Sequence, residues 1–419
     1  MRIAVIGSGI AGLASAWLLS QAHEVVLFEA NDYLGGHTHT HAVELAGAQY
    51  RVDTGFIVHN PTHYPLLTRL FDELGVATQP TTMSFSVHDG RSGLQYNATS
   101  LDTLFCQRRN LLSPRFLGMV RDLFRFYRQA SSLLQGDGQG PGIGDWLDAN
   151  GYGAAFRDDH LVPMASALWS SPPEHILQFP ARYLVQFMAN HQMLQVSGRP
   201  EWRVVRGGSS TYVDALRARW QVQERLRCPV HSVRRDGDGV VVESAAGSER
   251  FDQVVLACHS DQALTLLTDA NADEREVLGA IAYQPNEVVL HTDASLLPRN
   301  RKAWAAWNAF LPGNPGAPCT VSYCMSLLQG LRSPEPFVVT LNRSEAIAPD
   351  KVLRRLRYHH PVYNAASVAA QQRKHGIQGH NRTWFAGAYW GWGFHEDGIR
   401  SAVDVAAGLG VAWPPGAAA

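Results

Sequence analysis

The sequence predicts an α/β fold in which a parallel sheet is assembled from separate stretches of chain, with a second domain inserted between them. Three observations predict it. Apolar residues 3–6 run directly into Gly7, Gly9 and Gly12, a G-x-G-x-x-G turn, as a buried parallel strand does when it feeds a helix. A second apolar strand, residues 25–29, ends in Glu29, about 20 residues past the first glycine, where a carboxylate accepts hydrogen bonds from a ribose. Two distant segments, 252–258 and 383–386, read as further buried strands.

The three glycines have separate tasks. Gly7 permits the tight turn, Gly9 lets the backbone approach a pyrophosphate, and Gly12 lets helix and strand pack closely. The helix opening at Ile10 and Ala11 offers free N–H groups and a positive dipole end to phosphates. The fingerprint alone does not distinguish one dinucleotide from another. A chance glycine turn would lack the second strand and its acidic end.

At 419 residues the chain is long enough for two domains. Hydrophobic content of 45% and charged content of 17% suit large packed cores. A net charge of −1 leaves no basic surplus to steer the protein to nucleic acid. Cys106, Cys228, Cys258, Cys319 and Cys324 show neither disulfide nor metal spacing, and the odd number points to a reducing, cytoplasmic compartment. The first apolar run is too short for a signal peptide. No run of about 18 apolar residues occurs, so no membrane-spanning helix is expected, although peripheral membrane contact stays compatible.

The stretch from Glu29 and Ala30 to Gly35, Gly36 and His37 resembles the glycine-doublet motif of the flavin-containing amine oxidase superfamily, which includes amine oxidases and phytoene-type desaturases. The resemblance implies FAD, with the doublet's backbone close to its pyrophosphate. His37 stands where many members carry Arg. The resemblance also puts the turn Asp53-Thr54-Gly55-Phe56 near the flavin, making Thr54, Gly55 and Phe56 candidate contacts. Val230, in a predicted hairpin of residues 228–233 and 239–243, would give backbone contacts to the adenine.

Near the C-terminus, residues 383–386 lead through Gly387, Ala388 and an aromatic, glycine-rich turn to a helix over about 397–408. This resembles the superfamily's C-terminal FAD motif. There the turn approaches the isoalloxazine, and the helix dipole favours the reduced flavin at N1 and O2. Gly387, Ala388, Phe394, His395 and Asp397 are the implied contacts. Ala388 stands where many relatives have an acidic residue for the ribityl chain. The motif through His395-Glu396-Asp397-Gly398, with the turn at 53–56, resembles bacterial NAD/FAD-binding oxidoreductases found beside cyclopropane-fatty-acid synthases. Plant cyclopropane synthases carry a similar N-terminal domain. Relatives in that setting are associated with modified fatty acyl chains.

The remaining elements follow in order. His37, His39 and His41 alternate and would line one face of a strand. A metal centre needs further ligands, so a polar strand beside the cofactor is the simpler reading and no metal is expected. Residues 64–75 place Leu66, Leu67, Leu70, Phe71 and Leu74 on one helical face, with Gly75 as the stop. From about Met83 the character changes. Residues 101–134 are helical in spacing and rich in aromatic, leucine and arginine side chains, followed by a glycine-rich loop over 136–144. Aromatic and methionine residues continue to Met188, which suits both ordinary core packing and a helical cap over an apolar tunnel. Residues 287–292 and 337–342 offer strands for a second sheet.

The expectation is therefore a discontinuous Rossmann-type FAD-binding domain, residues 1–82, 200–285 and 376–419. The substrate domain, a mixed sheet plus helical cap, takes residues 83–199 and 286–375. The expected reaction is oxidation or desaturation of a modified fatty acyl chain by hydride transfer to N5 of a non-covalent FAD. An amine oxidase acting on a small amine is the first alternative. A redox-neutral isomerase, or a flavin module serving a partner such as a methyltransferase, is the second. The expected ligand is an apolar small molecule or lipid, not nucleic acid. His395 is the candidate base, because histidine titrates near neutrality without perturbation, with Glu396 orienting its ring. The other role for this stretch is structural, with Asp397 capping the helix and His395 packing or holding FAD. Many amine oxidases use a lysine to hold a water against the flavin. Of Lys302, Lys351 and Lys374, only Lys302 lies in a plausible segment.

Overall fold

Strand Arg2–Ile6 is the centre of a five-stranded parallel sheet ordered Val222–Arg225, Glu24–Phe28, Arg2–Ile6, Gln253–Leu256, Thr383–Phe385. The computed structural model describes residues 1–135, 140–169, 173–195, 198, 200–313 and 319–413. Residues 136–139 of the glycine-rich loop and the end of the 376–419 segment lie outside the described residues. Ile3, Val5, Val25, Leu27 and Val255 are fully or almost fully buried, as befits strands covered on both faces. The chain leaves Arg2–Ile6 for one neighbour and returns much later on the other side. That is the reversal of strand order at which open α/β sheets bind ligands.

Helix Ile10–Leu19 packs against the final helix, His395–Gly408, in one core with Pro65–Leu74 and Ser210–Arg217. Gly398 makes this crossing close: a Cβ there would stand 2.6 Å from the Ile10 side chain. Pro65–Leu74 buries Leu67, Leu70, Phe71 and Leu74 and stops at Gly75, which takes a left-handed φ of 69°. The hairpin Val230–Asp236 and Gly239–Ser244 is extended by Gly247–Phe251 into a three-stranded antiparallel sheet.

A seven-stranded sheet forms the second layer, ordered Val352–Pro361, Tyr283–His291, Val338–Leu341, Thr320–Cys324, Trp307–Leu311, Phe85–Asp89, Gln95–Asn97. It is antiparallel except where Trp307–Leu311 meets Phe85–Asp89. Helices Pro114–Gln129, Ile143–Ala149, Val162–Trp169, Pro173–Gln178 and Ala181–Asn190 build a cap around an aromatic core that includes Phe126, Phe156, Trp169, Phe179 and Phe187. Trp392 and Phe394, from the turn before the final helix, pack into that core.

Candidate active site

Four loops converge at the carboxyl end of the parallel sheet. The first is the glycine turn. The Gly7 N–H donates to the Phe28 carbonyl at 2.9 Å, holding the turn on the neighbouring strand. A Cβ on Gly12 would overlap the Gly7 carbonyl oxygen, whereas one on Gly9 would meet no atom within 4 Å. Gly9 thus faces open space. Gly9 caps the helix through backbone alone, without a side-chain hydrogen bond, so the first N–H groups keep their capacity for an anion. Ile10 and Ala11 are buried in this first turn.

The second loop is the glycine doublet. Gly35 donates to the Ser8 carbonyl at 3.0 Å. Gly36 has a φ of 58°, and its Cβ position lies 3.0 Å from the Gly9 Cα, so two backbones meet where a side chain would wedge them apart. Glu29 joins the two loops. One carboxylate oxygen accepts from the Ser8 N–H at 3.0 Å and its hydroxyl at 2.5 Å. The other accepts from the Asn31 N–H and side-chain amide, both at 2.8 Å. Four donors fill the capacity of a carboxylate, so a ribose hydroxyl reaches Glu29 only by displacing one of them. Ala30 beside it is exposed. The N–H of Cys228 donates to the Glu29 carbonyl at 2.9 Å, which brings the part-buried Val230 to the same edge.

The third loop is the turn at 53–56. Phe56 donates to the His37 carbonyl at 2.8 Å, and a Cβ on Gly55 would overlap that same oxygen. Thr54 Oγ1 lies 2.7 Å from the Tyr358 hydroxyl. Asp53 is fully buried and accepts from Thr40, from the Ser209 N–H and hydroxyl, and from Gln329. Burial pushes its carboxyl up to about 6, against these donors.

The fourth loop is the C-terminal turn. Gly387 donates to Ser401 Oγ at 2.8 Å, and Ala388 beside it is half-buried. Asp397 accepts from the N–H groups of Trp392 and Phe394 and from Arg400 at 3.0 to 3.1 Å. It caps the turn, with Oδ2 taken by the two backbone N–H groups and Oδ1 by Arg400. His395 stacks on Phe56 with ring centres 3.7 Å apart. Its Nε2 lies 3.0 Å from Thr38 Oγ1, which in turn lies 2.5 Å from the Tyr212 hydroxyl.

Three expectations need correction. Glu396 does not orient His395; its two oxygens accept from the N–H groups of Leu66 and Leu67, both at 3.0 Å, and cap helix Pro65–Leu74. Lys302 is exposed and paired with Asp102 at 2.9 Å on the protein surface, where the solvated charge has no role beside a flavin. His395 does not keep its ordinary pKa: burial, with His37 and His59 adding to it, holds the ring well below its usual range and neutral. The geometry therefore fits His395 as a packing group better than as a free base.

The three alternating histidines also part company. The strand begins only at Thr40. His39 and His41 contact each other at 4.0 Å, while the turn at Gly36 sends His37 toward Tyr358, His360 and His259, at 4.8, 5.3 and 6.3 Å. Burial pushes His37 and His360 down to about 3 and His259 down to about 4, with neighbouring histidines adding to each shift. This neutral histidine cluster was not anticipated. The adjacent pair His359-His360 and the position of His259 just after a buried strand were its only signals in the sequence. No group of metal-binding side chains forms among the described residues.

The sequence profile of flavin containing amine oxidoreductases matches residues 10–303, well over half of the chain. The chain belongs to that family. FAD is therefore its cofactor. The flavin monoamine oxidase AofH of Mycobacterium tuberculosis, itself described as putative, is 27% identical over 270 residues, 61% of this chain and 56% of that protein. A 1-hydroxycarotenoid 3,4-desaturase of Flavobacterium is 35% identical over 120 residues, 26% of this chain and 24% of its own. The chain thus spans only about half, or less, of these curated relatives. Among solved structures, a CLA-producing fatty acid isomerase from P. acnes superposes with a TM-score of 0.68 over 97% of this chain and 98% of its own, at 17% identity.

The residues of this flavoprotein fit an FAD. The uncapped helix and the open space at Gly9 form a cradle for a pyrophosphate. Among the described residues, Nε2 of His37, beside the doublet, is buried without a hydrogen-bond partner, as are the Tyr363 hydroxyl and Trp392 Nε1. Buried polar atoms of this kind call for partners.

Proposed function

We propose that the protein is an FAD-dependent oxidoreductase that oxidises or desaturates a fatty acyl chain. The observation that carries this reading is the apolar contact between cap and C-terminal turn. Trp169, Phe179, Phe187 and Met188 pack with Trp392 and Phe394 in one cluster. Asp397, which borders it, is committed to Trp392, Phe394 and Arg400. Apolar side chains of this kind beside the cofactor turn favour methylene groups over an ammonium ion.

In this reading the two glycine loops and His37 hold the pyrophosphate, while Val230 borders the adenine. Phe56, His395 and Phe394 wall the flavin, and the cap excludes water. FAD, when bound, supplies the hydride acceptor at N5. His395 acts as a positioning residue. The cofactor is non-covalent: the C-terminal motif has no cysteine, and burial pushes the Cys258 thiol up to about 12, too high for a nucleophilic thiolate. The likenesses to a fatty acid isomerase and a carotenoid desaturase support a long apolar substrate. The likeness to AofH favours a second reading, a monoamine oxidase.

Anaerobic mixing of the holoenzyme with fatty acids, phospholipids or small amines tests the choice. Bleaching of the visible flavin band by an acyl substrate alone is expected. Bleaching by an amine alone would overturn the proposal. Acyl conversion without any net bleaching would replace oxidation by isomerisation.

A further inference from the structure

The cap carries an outer face that no other element covers among the described residues. Seven large apolar side chains are exposed among the described residues, and five of them lie between positions 101 and 124. Leu112 is 87% exposed, Leu101 76%, Leu111 49%, Phe124 48% and Leu117 43%. Such concentration is unusual for a surface that meets only water.

The pattern within helix Pro114–Gln129 is regular. Phe116, Met119 and Phe126 face inward, while Pro114, Leu117, Arg121, Phe124 and Arg128 are exposed at intervals of three or four residues. The outward stripe therefore alternates large apolar groups with cations. The preceding turn, Arg108–Leu112, presents Leu111 and Leu112 at the start of the same helix. Residues 101–129 contain six arginines and two aspartates, in a chain whose net charge is −1. Asp122 is buried, where it accepts from Arg121 at 3.2 Å and from the Gly153 N–H, with Arg125 3.7 Å away. The exposed surplus is thus positive.

We propose that this stripe docks the protein on an anionic phospholipid bilayer. Apolar groups would enter the boundary between headgroups and acyl chains, while the arginines pair with lipid phosphates, their stems lying along the apolar surface. A water-facing helix has no use for the outward Leu117 and Phe124, and the positive surplus beside them complements lipid phosphates. Here charge and apolar surface alternate throughout. Among the described residues no helix is long and apolar enough to cross a membrane, so the contact is interfacial.

A groove of about 390 Å³ opens at the end of the stripe, lined by Phe124, Tyr127, Arg128, Leu194 and Gln195. Tyr127 and Leu194 pack against the same apolar cluster that reaches Trp392 and Phe394. The docking face and the cofactor turn are therefore joined by continuous apolar packing. The inference rests on the acyl-chain reading for its biological use, but bilayer binding is measured without turnover, so either can fail alone.

The test is sedimentation of the FAD-loaded protein with vesicles of phosphatidylcholine, or of equal parts phosphatidylcholine and phosphatidylglycerol. Binding to the anionic vesicles, weakened by salt, is expected. Leu117→Ser with Phe124→Ser, and separately Arg121→Glu with Arg128→Glu, should each weaken partition by about 10-fold or more. Both pairs should leave FAD content unchanged, and Arg125 still faces Asp122 when Arg121 is replaced. Failure of the unaltered protein to sediment overturns the proposal, as does unchanged binding by both double variants. A dimer that the Leu117/Phe124 pair dissolves, with no vesicle binding, would assign the stripe to self-association instead.

Discussion

Gly9 and Gly12 stand three residues apart and should fail differently. Space beside Gly9 is open in the protein, so Gly9→Val should leave the fold intact and remove FAD, because its side chain fills the pyrophosphate cradle. A colourless protein with an unchanged thermal midpoint is expected; an FAD-replete one would overturn the cradle. Gly12→Ala instead drives a methyl group into the Gly7 carbonyl. Overpacking against backbone should destabilise the protein by about 3 kcal/mol, visible as a lowered denaturation midpoint before any cofactor is added. His395 illustrates the limit of reading residues one by one. Its position beside the flavin turn was legible, but its neutrality comes from Phe56, Thr38 and the burial they impose. Partners so distant in sequence leave no local trace.

At the scale of elements, what could be read was what is locally encoded. The strands of the parallel sheet are continuous apolar runs, and the helix at 65–74 shows its buried face and its glycine stop in spacing alone. What could not be read was how helix ends are satisfied. Glu396 caps a helix 330 residues earlier in the chain, and Lys302 meets an aspartate 200 residues away. Each made a reasonable catalytic candidate until its partner was known. Glu396→Ala should therefore act on stability. Loss of the acceptor for two helix N–H groups should cost about 2 kcal/mol in chemical denaturation. Thermal melts of the FAD-loaded variant should show the same loss, while the rate of flavin reduction per bound FAD stays near the unaltered value. A large fall in that rate with unchanged stability would restore Glu396 to the mechanism.

For the whole molecule, the buried histidines set an acid limit. The folded pKa values of His37 and His360, pushed down to about 3, lie below those of an unfolded chain. The unfolded state then binds more protons as pH falls below about 6.5, so stability is complete above that value and declines toward the folded pKa. The slope approaches roughly 1.4 kcal/mol per histidine per pH unit. Asp53, raised to about 6, works in the opposite sense, as do Asp159, Glu396 and Asp397, also raised by burial, but the buried histidines held low outnumber them. Denaturation midpoints of the FAD-free protein should fall steadily from pH 7 to pH 5. A midpoint independent of pH across that range would show that the histidines are not held neutral.

The parallel sheet has one more consequence, and it concerns synthesis. Strand Arg2–Ile6 pairs with Gln253–Leu256, which pairs with Thr383–Phe385, and the last helix covers the first. The first strand therefore lacks its second neighbour until residue 256 has been made, and the opening helix lacks its cover until residues 395–408 have been made. Until then the apolar face of the opening helix must be shielded by chaperones or by transient contacts. Nascent chains halted before residue 383 should retain no flavin, because the turn at 387–394 and the helix His395–Gly408 have yet to be made.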